Sequence, residues 1–222
     1  MTTPEERLTI EQGRVRVSAV YARPPKPRAT LVVAHGAGAG MDHPFMAGFT
    51  RAMNDLGVAT LRFNFVYTEN GRRAPDPAPF LEETWRAAFD AASGRAKGEP
   101  VWAGAKSLGG RIASMVVADG MPAAGLVFLG YPLHAPGKPE RIRDEHLYSI
   151  KAPMLFLEGT RDPFATPEPL QRVITKLGDR ASIVSIEGGD HSFNIRGAKR
   201  DAREVGAGLA EPAAAFIRER SG

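Results

Sequence analysis

Three side chains stand where each could supply one part of an acyl-transfer reaction: Ser107, Asp162 and His191. Ser107 lies in Val101-Trp-Ala-Gly-Ala-Lys-Ser-Leu-Gly-Gly-Arg111, where an apolar stretch passes into a run with helical spacing. A serine on such a turn is lifted off the end of a sheet only if strand and helix nearly touch, which small residues two before and two after it permit. Here those residues are Ala105 and Gly109, so the pattern G-x-S-x-G lacks its first glycine. A serine hydroxyl is a weak nucleophile at neutral pH; it needs a base, and the base needs an acid to orient it. Asp162 in Glu158-Gly-Thr-Arg-Asp-Pro-Phe164 and His191 in Glu187-Gly-Gly-Asp-His-Ser-Phe193 each follow a strand-length apolar run. In a parallel sheet the ends of those strands lie on one side, where ligands of open sheets bind, so the three groups converge.

The tetrahedral intermediate of such chemistry needs main-chain donors. One is expected from the amide of Leu108 and the second from Ala37, in the loop His35-Gly-Ala-Gly-Ala-Gly40. That loop lacks the spacing of a dinucleotide fingerprint and no G-K-[ST] follows, which argues against a phosphate cradle. His35 is read as hydrogen-bonding the backbone rather than as the base. Asp190 is the alternative orienter, disfavoured because a sequence neighbour of His191 points the other way in an extended segment. Lys106 and Arg111 are read as solvated charge on the helix surface, with attraction of an anionic substrate as the other reading.

The elements that must position these groups alternate between strand and helix, the pattern of a mostly parallel sheet covered on both faces. Arg14 to Tyr21 alternates polar and apolar as an antiparallel edge strand would, and the prolines around Lys26 end it. Strands are then expected over residues 29–34, 58–63, 100–105, 124–130, 153–158 and 182–186. Helices are expected over residues 44–56, 80–96, 108–118 and 201–220, with Trp85 and Phe89 on one face of the second. Residues 131–151, rich in proline and charge, form a loop with a short helix, which leaves no room for a cap domain. A chain of 222 residues with 43% hydrophobic content suits one domain over 1–222.

Composition narrows the chemistry. The chain has no cysteine, which excludes disulfides, thiolate metal sites and a cysteine nucleophile. No metal or other cofactor is expected. Twenty-nine basic residues are interleaved with 25 acidic ones for a net charge of +4, without the basic stripe that nucleic acid requires. The first residues carry no basic and apolar leader, and no apolar run reaches the roughly 18 residues of a membrane span, so a cytoplasmic protein is expected.

With those residues in place, the chain resembles an α/β-hydrolase without a cap over essentially its whole length, and the order Ser, Asp, His agrees. It is similar to small bacterial hydrolases grouped near dienelactone hydrolases and to the hydrolase-like domain of testis-expressed and non-specific-lethal-complex subunit proteins. The likeness rests on His35-Gly-Ala-Gly-Ala-Gly-Met-Asp-His-Pro-Phe-Met46, Arg62-Phe-Asn-Phe65 leading into Gly71-Arg-Arg-Ala-Pro-Asp76, Lys106-Ser-Leu-Gly-Gly-Arg111, Asp162-Pro-Phe and Asp190-His-Ser-Phe. It implies Ser107, Asp162 and His191 as the catalytic residues. The expected function is a serine esterase for small or short-acyl esters. A non-catalytic hydrolase-like scaffold and an amide or peptide hydrolase are the alternatives.

Overall fold

The computed structural model describes residues 3–221; Met1, Thr2 and Gly222, which the expected domain 1–222 includes, lie outside them. Eight strands form one sheet: β1 (Glu5–Gln12), β2 (Val15–Ala22), β3 (Ala29–Ala34), β4 (Val58–Phe63), β5 (Val101–Lys106), β6 (Leu126–Leu129), β7 (Met154–Gly159) and β8 (Ala181–Ile186). Their order is β1-β2-β4-β3-β5-β6-β7-β8. β1 and β2 pair antiparallel, as do β2 and β4; every other neighbouring pair is parallel. The central strands β3, β4, β6 and β7 are buried along their whole length, as strands covered on both faces must be.

Among the described residues seven helices flank the sheet: α1 (Pro44–Asp55), α2 (Val66–Glu69), α3 (Ala78–Ser93), α4 (Leu108–Ala118), α5 (Pro167–Leu177), α6 (Ala202–Ala207) and α7 (Ala210–Arg220). On one face, Phe45, Phe49 and Met53 of α1 and Ala213 and Ile217 of α7 pack on Leu31, Val33 and Trp102. On the other, Trp85 and Phe89 of α3, Ile112 and Val116 of α4 and Leu170 and Val173 of α5 pack on Val32, Ala103 and Phe128. This is the α/β-hydrolase architecture, and no separate cap domain stands over the described residues. The segment 131–151 carries only a 3₁₀ turn, Glu145–Ser149.

Two expectations need correction, and one helix was not expected. The strand around residues 14–21 is not an edge: β1 pairs along its outer side. β1, Glu-Glu-Arg-Leu-Thr-Ile-Glu-Gln, buries only Ile10, so it carries almost no apolar alternation to betray it. The helix expected over residues 201–220 is broken into α6 and α7. Pro212 has no N–H to donate to Gly208 and its ring would clash with that carbonyl, so the helix ends and restarts. Helix α5 was missed, although Leu170, Val173, Ile174 and Leu177 have amphipathic spacing and Pro167 opens the first turn.

Candidate active site

Strand β5 delivers Ser107 onto a turn with φ 50° and ψ −117°, a left-handed conformation rare for a residue with a side chain. Holding a serine there costs about 1–3 kcal/mol, which the surrounding contacts must offset. Main-chain contacts and the core supply them: the Ser107 amide donates to the Leu129 carbonyl on β6 (3.3 Å), and Trp85 Nε1 on α3 donates to the Gly109 carbonyl (3.0 Å). Ala105 is fully buried on the α3 and α4 face, so a methyl fits beneath the turn where the pattern expects glycine.

The hydroxyl of Ser107 does not cap α4. It lies 2.8 Å from His191 Nε2, and His191 Nδ1 lies 2.6 Å from Asp162 Oδ2. The three groups come from the ends of β5, β7 and β8, as the parallel sheet requires. Asp162 is buried, and its other oxygen accepts from the Phe164 amide (2.7 Å) across Pro163, which fixes the carboxylate. The centre of the Phe164 ring stands 4.4 Å from that of the His191 ring and packs against it. Asp190, the alternative orienter, is turned away: its Oδ1 accepts from the amides of Ser192 (2.8 Å) and Asn194 (2.9 Å).

Ala37, Leu108 and Ser107 line one cavity of about 650 Å³. Leu108 is the first residue of α4, so its N–H has no acceptor within the helix. Among the described residues no main-chain carbonyl takes the amide of Leu108 or of Ala37. His35 is fully buried: Nδ1 donates to its neighbour's Gly36 carbonyl (2.8 Å), and Nε2 accepts from the Phe65 amide (3.3 Å). Burial brings its pKa down to about 4, so it is a neutral brace for the loop at neutral pH.

Lys106 and Arg111 do not match their expectation as solvated helix charge. Lys106 is the last residue of β5, not part of the helix, and its Nζ donates to the His191 carbonyl (2.6 Å). Arg111 is half-buried in the cavity wall, and its Nε is buried without a partner. Two contributors were not singled out from the sequence. Trp85 was read only as lying on one face of a helix. Glu158, next to Gly159 where the Asp162 turn begins, is buried with Oε1 accepting from the Tyr131 amide and Oε2 unpartnered. Burial pushes its carboxyl well above the usual range. Nothing in the order Leu-Glu-Gly distinguishes such an inward acid from an exposed one.

Sheet order, a serine on a strained strand-to-helix turn and the absence of a cap define an α/β-hydrolase, an enzyme of the serine hydrolase type. The chain belongs to the alpha/beta hydrolase domain family, whose model matches residues 27–218. Solved structures with the same fold include a dienelactone hydrolase from Anabaena variabilis, 19% identical, with a TM-score of 0.79 over 99% of both chains. The esterase domain of a Rhodothermus marinus protein is 19% identical with a TM-score of 0.75, over 99% of this chain and 100% of that one. A serine hydrolase without a lid from Xanthomonas campestris is 17% identical with a TM-score of 0.73, over 99% of this chain and 94% of that one. Among the described residues no helix is long and apolar enough to cross a membrane.

Proposed function

We propose that the protein is a carboxylesterase that acylates Ser107. The observation that carries this reading is the unbroken chain Ser107 Oγ, His191, Asp162, at 2.8 and 2.6 Å, opening into the cavity. His191 Nε2 takes the hydroxyl proton as Ser107 Oγ attacks the ester carbonyl carbon, and Asp162 holds Nδ1–H and stabilises the imidazolium. The amides of Leu108 and Ala37 donate to the oxyanion. When the carbonyl reforms, the bond to the leaving alkoxide breaks and the imidazolium protonates it. Water, deprotonated by the same imidazole, then attacks the acyl-enzyme, releases the acid and returns the proton to Ser107.

Esters, rather than amides, are favoured by the esterase domain among the proteins of like fold. Small or short-acyl esters are favoured because no cap domain stands over the described residues, and the segment 131–151, which lends Pro132 and Arg143 to the cavity wall, has a 3₁₀ turn as all its regular structure. A fluorophosphonate probe tests the chemistry: stoichiometric labelling of folded protein, abolished in Ser107→Ala, is expected. Folded protein that takes no label would instead favour a hydrolase-like scaffold. A series of p-nitrophenyl esters tests the size, with acetyl or butyryl esters expected to outpace long-chain ones.

A further inference from the structure

We infer that Lys106 is a positioning residue, which sets the His191 imidazole against Ser107 by gripping the histidine's own main-chain carbonyl. This rests on the hydrolase reading above. Side chains alternate across a strand, so Lys106 leaves β5 on the face opposite Ala105 and passes under the loop that carries His191. Its ammonium donates to the His191 carbonyl oxygen at 2.6 Å and stands 5.5 Å from the centre of the Phe193 ring. Phe193 itself is held at φ 63°, a left-handed conformation, so the loop is fixed on the far side of His191 as well.

The end of β6 is shaped to admit this contact. Gly130 has φ 73°, and a β-carbon there would come within 3.0 Å of Lys106 Nζ, 3.3 Å of the His191 carbonyl oxygen and 3.5 Å of the imidazole Cε1. A slot that only glycine leaves open therefore receives both the lysine tip and the edge of the imidazole. Withdrawing an ammonium even partly from water costs free energy; Lys106 borders the cavity, and the hydrogen-bond partner of its ammonium is a neutral carbonyl rather than a carboxylate. The arrangement ties the residue before the nucleophile to the main chain of the base through one side chain. Its effect is to restrict the rotation of His191 that would carry Nε2 away from Ser107 Oγ. Burial holds the ammonium's pKa down to about 8, opposed by the carboxyls of Glu158, Asp162 and Asp190. Loss of that proton weakens the grip.

Lys106→Met is expected to lower kcat about 100-fold with KM shifted within about twofold, since alignment and not binding is lost. The chain has no cysteine, so Lys106→Cys supplies a unique thiol. Alkylation with 2-bromoethylamine, in which the thiolate displaces bromide, rebuilds an ammonium of lysine length and should restore kcat. The wild-type kcat should fall above pH 8, and that limb should be absent in the Met variant. The proton between His191 and Asp162, assigned by its loss in His191→Ala, is read by NMR as a measure that needs no turnover. It should be sharp in the wild type and broadened in Lys106→Met. Wild-type kcat and an unchanged resonance in Lys106→Met would overturn the inference. So would a loss of activity that alkylation leaves uncorrected in a protein that unfolds like the wild type. If the wild type cleaves no ester, the carboxylesterase reading fails, and the resonance alone still decides the role of Lys106.

Discussion

Gly109 meets His35 main chain to main chain: a β-carbon on Gly109 would stand 2.7 Å from the His35 carbonyl oxygen and 2.9 Å from the Ala34 β-carbon. The first turn of α4 therefore rests directly on the loop that presents Ala37. Gly109→Ala is expected to push the two apart, lowering stability by about 1–3 kcal/mol and fluorophosphonate labelling by about 10-fold or more. Ala105→Gly, which restores the missing glycine of the motif, should cost about 1 kcal/mol from strand flexibility and a lost buried methyl. It should bring no gain in labelling. Urea denaturation and labelling rates measure both.

Asp162 and Asp190 separate by the groups they hold. Asp162→Asn presents an amide to His191 where a charge is required, and should reduce kcat by as much as about 10⁴. Asp190→Asn keeps an oxygen for the Ser192 and Asn194 amides and should change kcat by about threefold at most. Were Asp190→Asn the more damaging in a steady-state ester assay, the two assignments would have to be exchanged.

His35 makes the fold sensitive to acid. Its pKa falls from 6.5 to about 4 on burial. Between those values the unfolded chain binds the proton and the folded one does not, so stability drops as pH falls through that window. The loss is on the order of 3 kcal/mol once both values are passed. The raised carboxyl of Glu158 acts in the opposite sense, so the contribution of His35 is read as the difference in denaturation midpoints between wild type and His35→Gln from pH 7 to pH 4, which should show that slope.

If the protein is the proposed esterase, Arg111 is expected to bear on which esters are taken. Its Nε is buried without a partner, and it shares the cavity wall with Arg143, whose charge it feels. An ester that carries a free carboxylate, such as a glutarate half-ester, should be turned over at least about 10-fold faster than a neutral ester of equal length. In Arg111→Gln that preference should collapse. Equal ratios in wild type and variant would remove Arg111 from recognition.

The residue order carried the fold wherever burial was two-sided or periodic. The apolar runs of β3, β4 and β7 announced themselves, and the small residues around Ser107 located the elbow. It failed where the decisive contact is distant in sequence. β1 exists because β2 offers it an edge, not because of its own pattern, and Pro212 breaks a helix whose apolar positions run straight through. The spacing of Ser107, Asp162 and His191 was readable because each closes a strand that could itself be recognised. Lys106 and Glu158 were not, because a charged residue at the end of a strand is usually solvated. Only the folded contacts show why these two point inward: the His191 carbonyl beside Gly130 for Lys106, and the Tyr131 amide for Glu158.

The hairpin of β1 and β2 lies outside the segment that matches the family, and it occupies one margin of the sheet. Its outer strand carries Glu5, Glu6, Arg7 and Glu11, all exposed. A strand from another molecule could extend the sheet there only by stripping water from these charges. In a crowded solution that charged margin opposes the pairing of this sheet with a strand of another molecule.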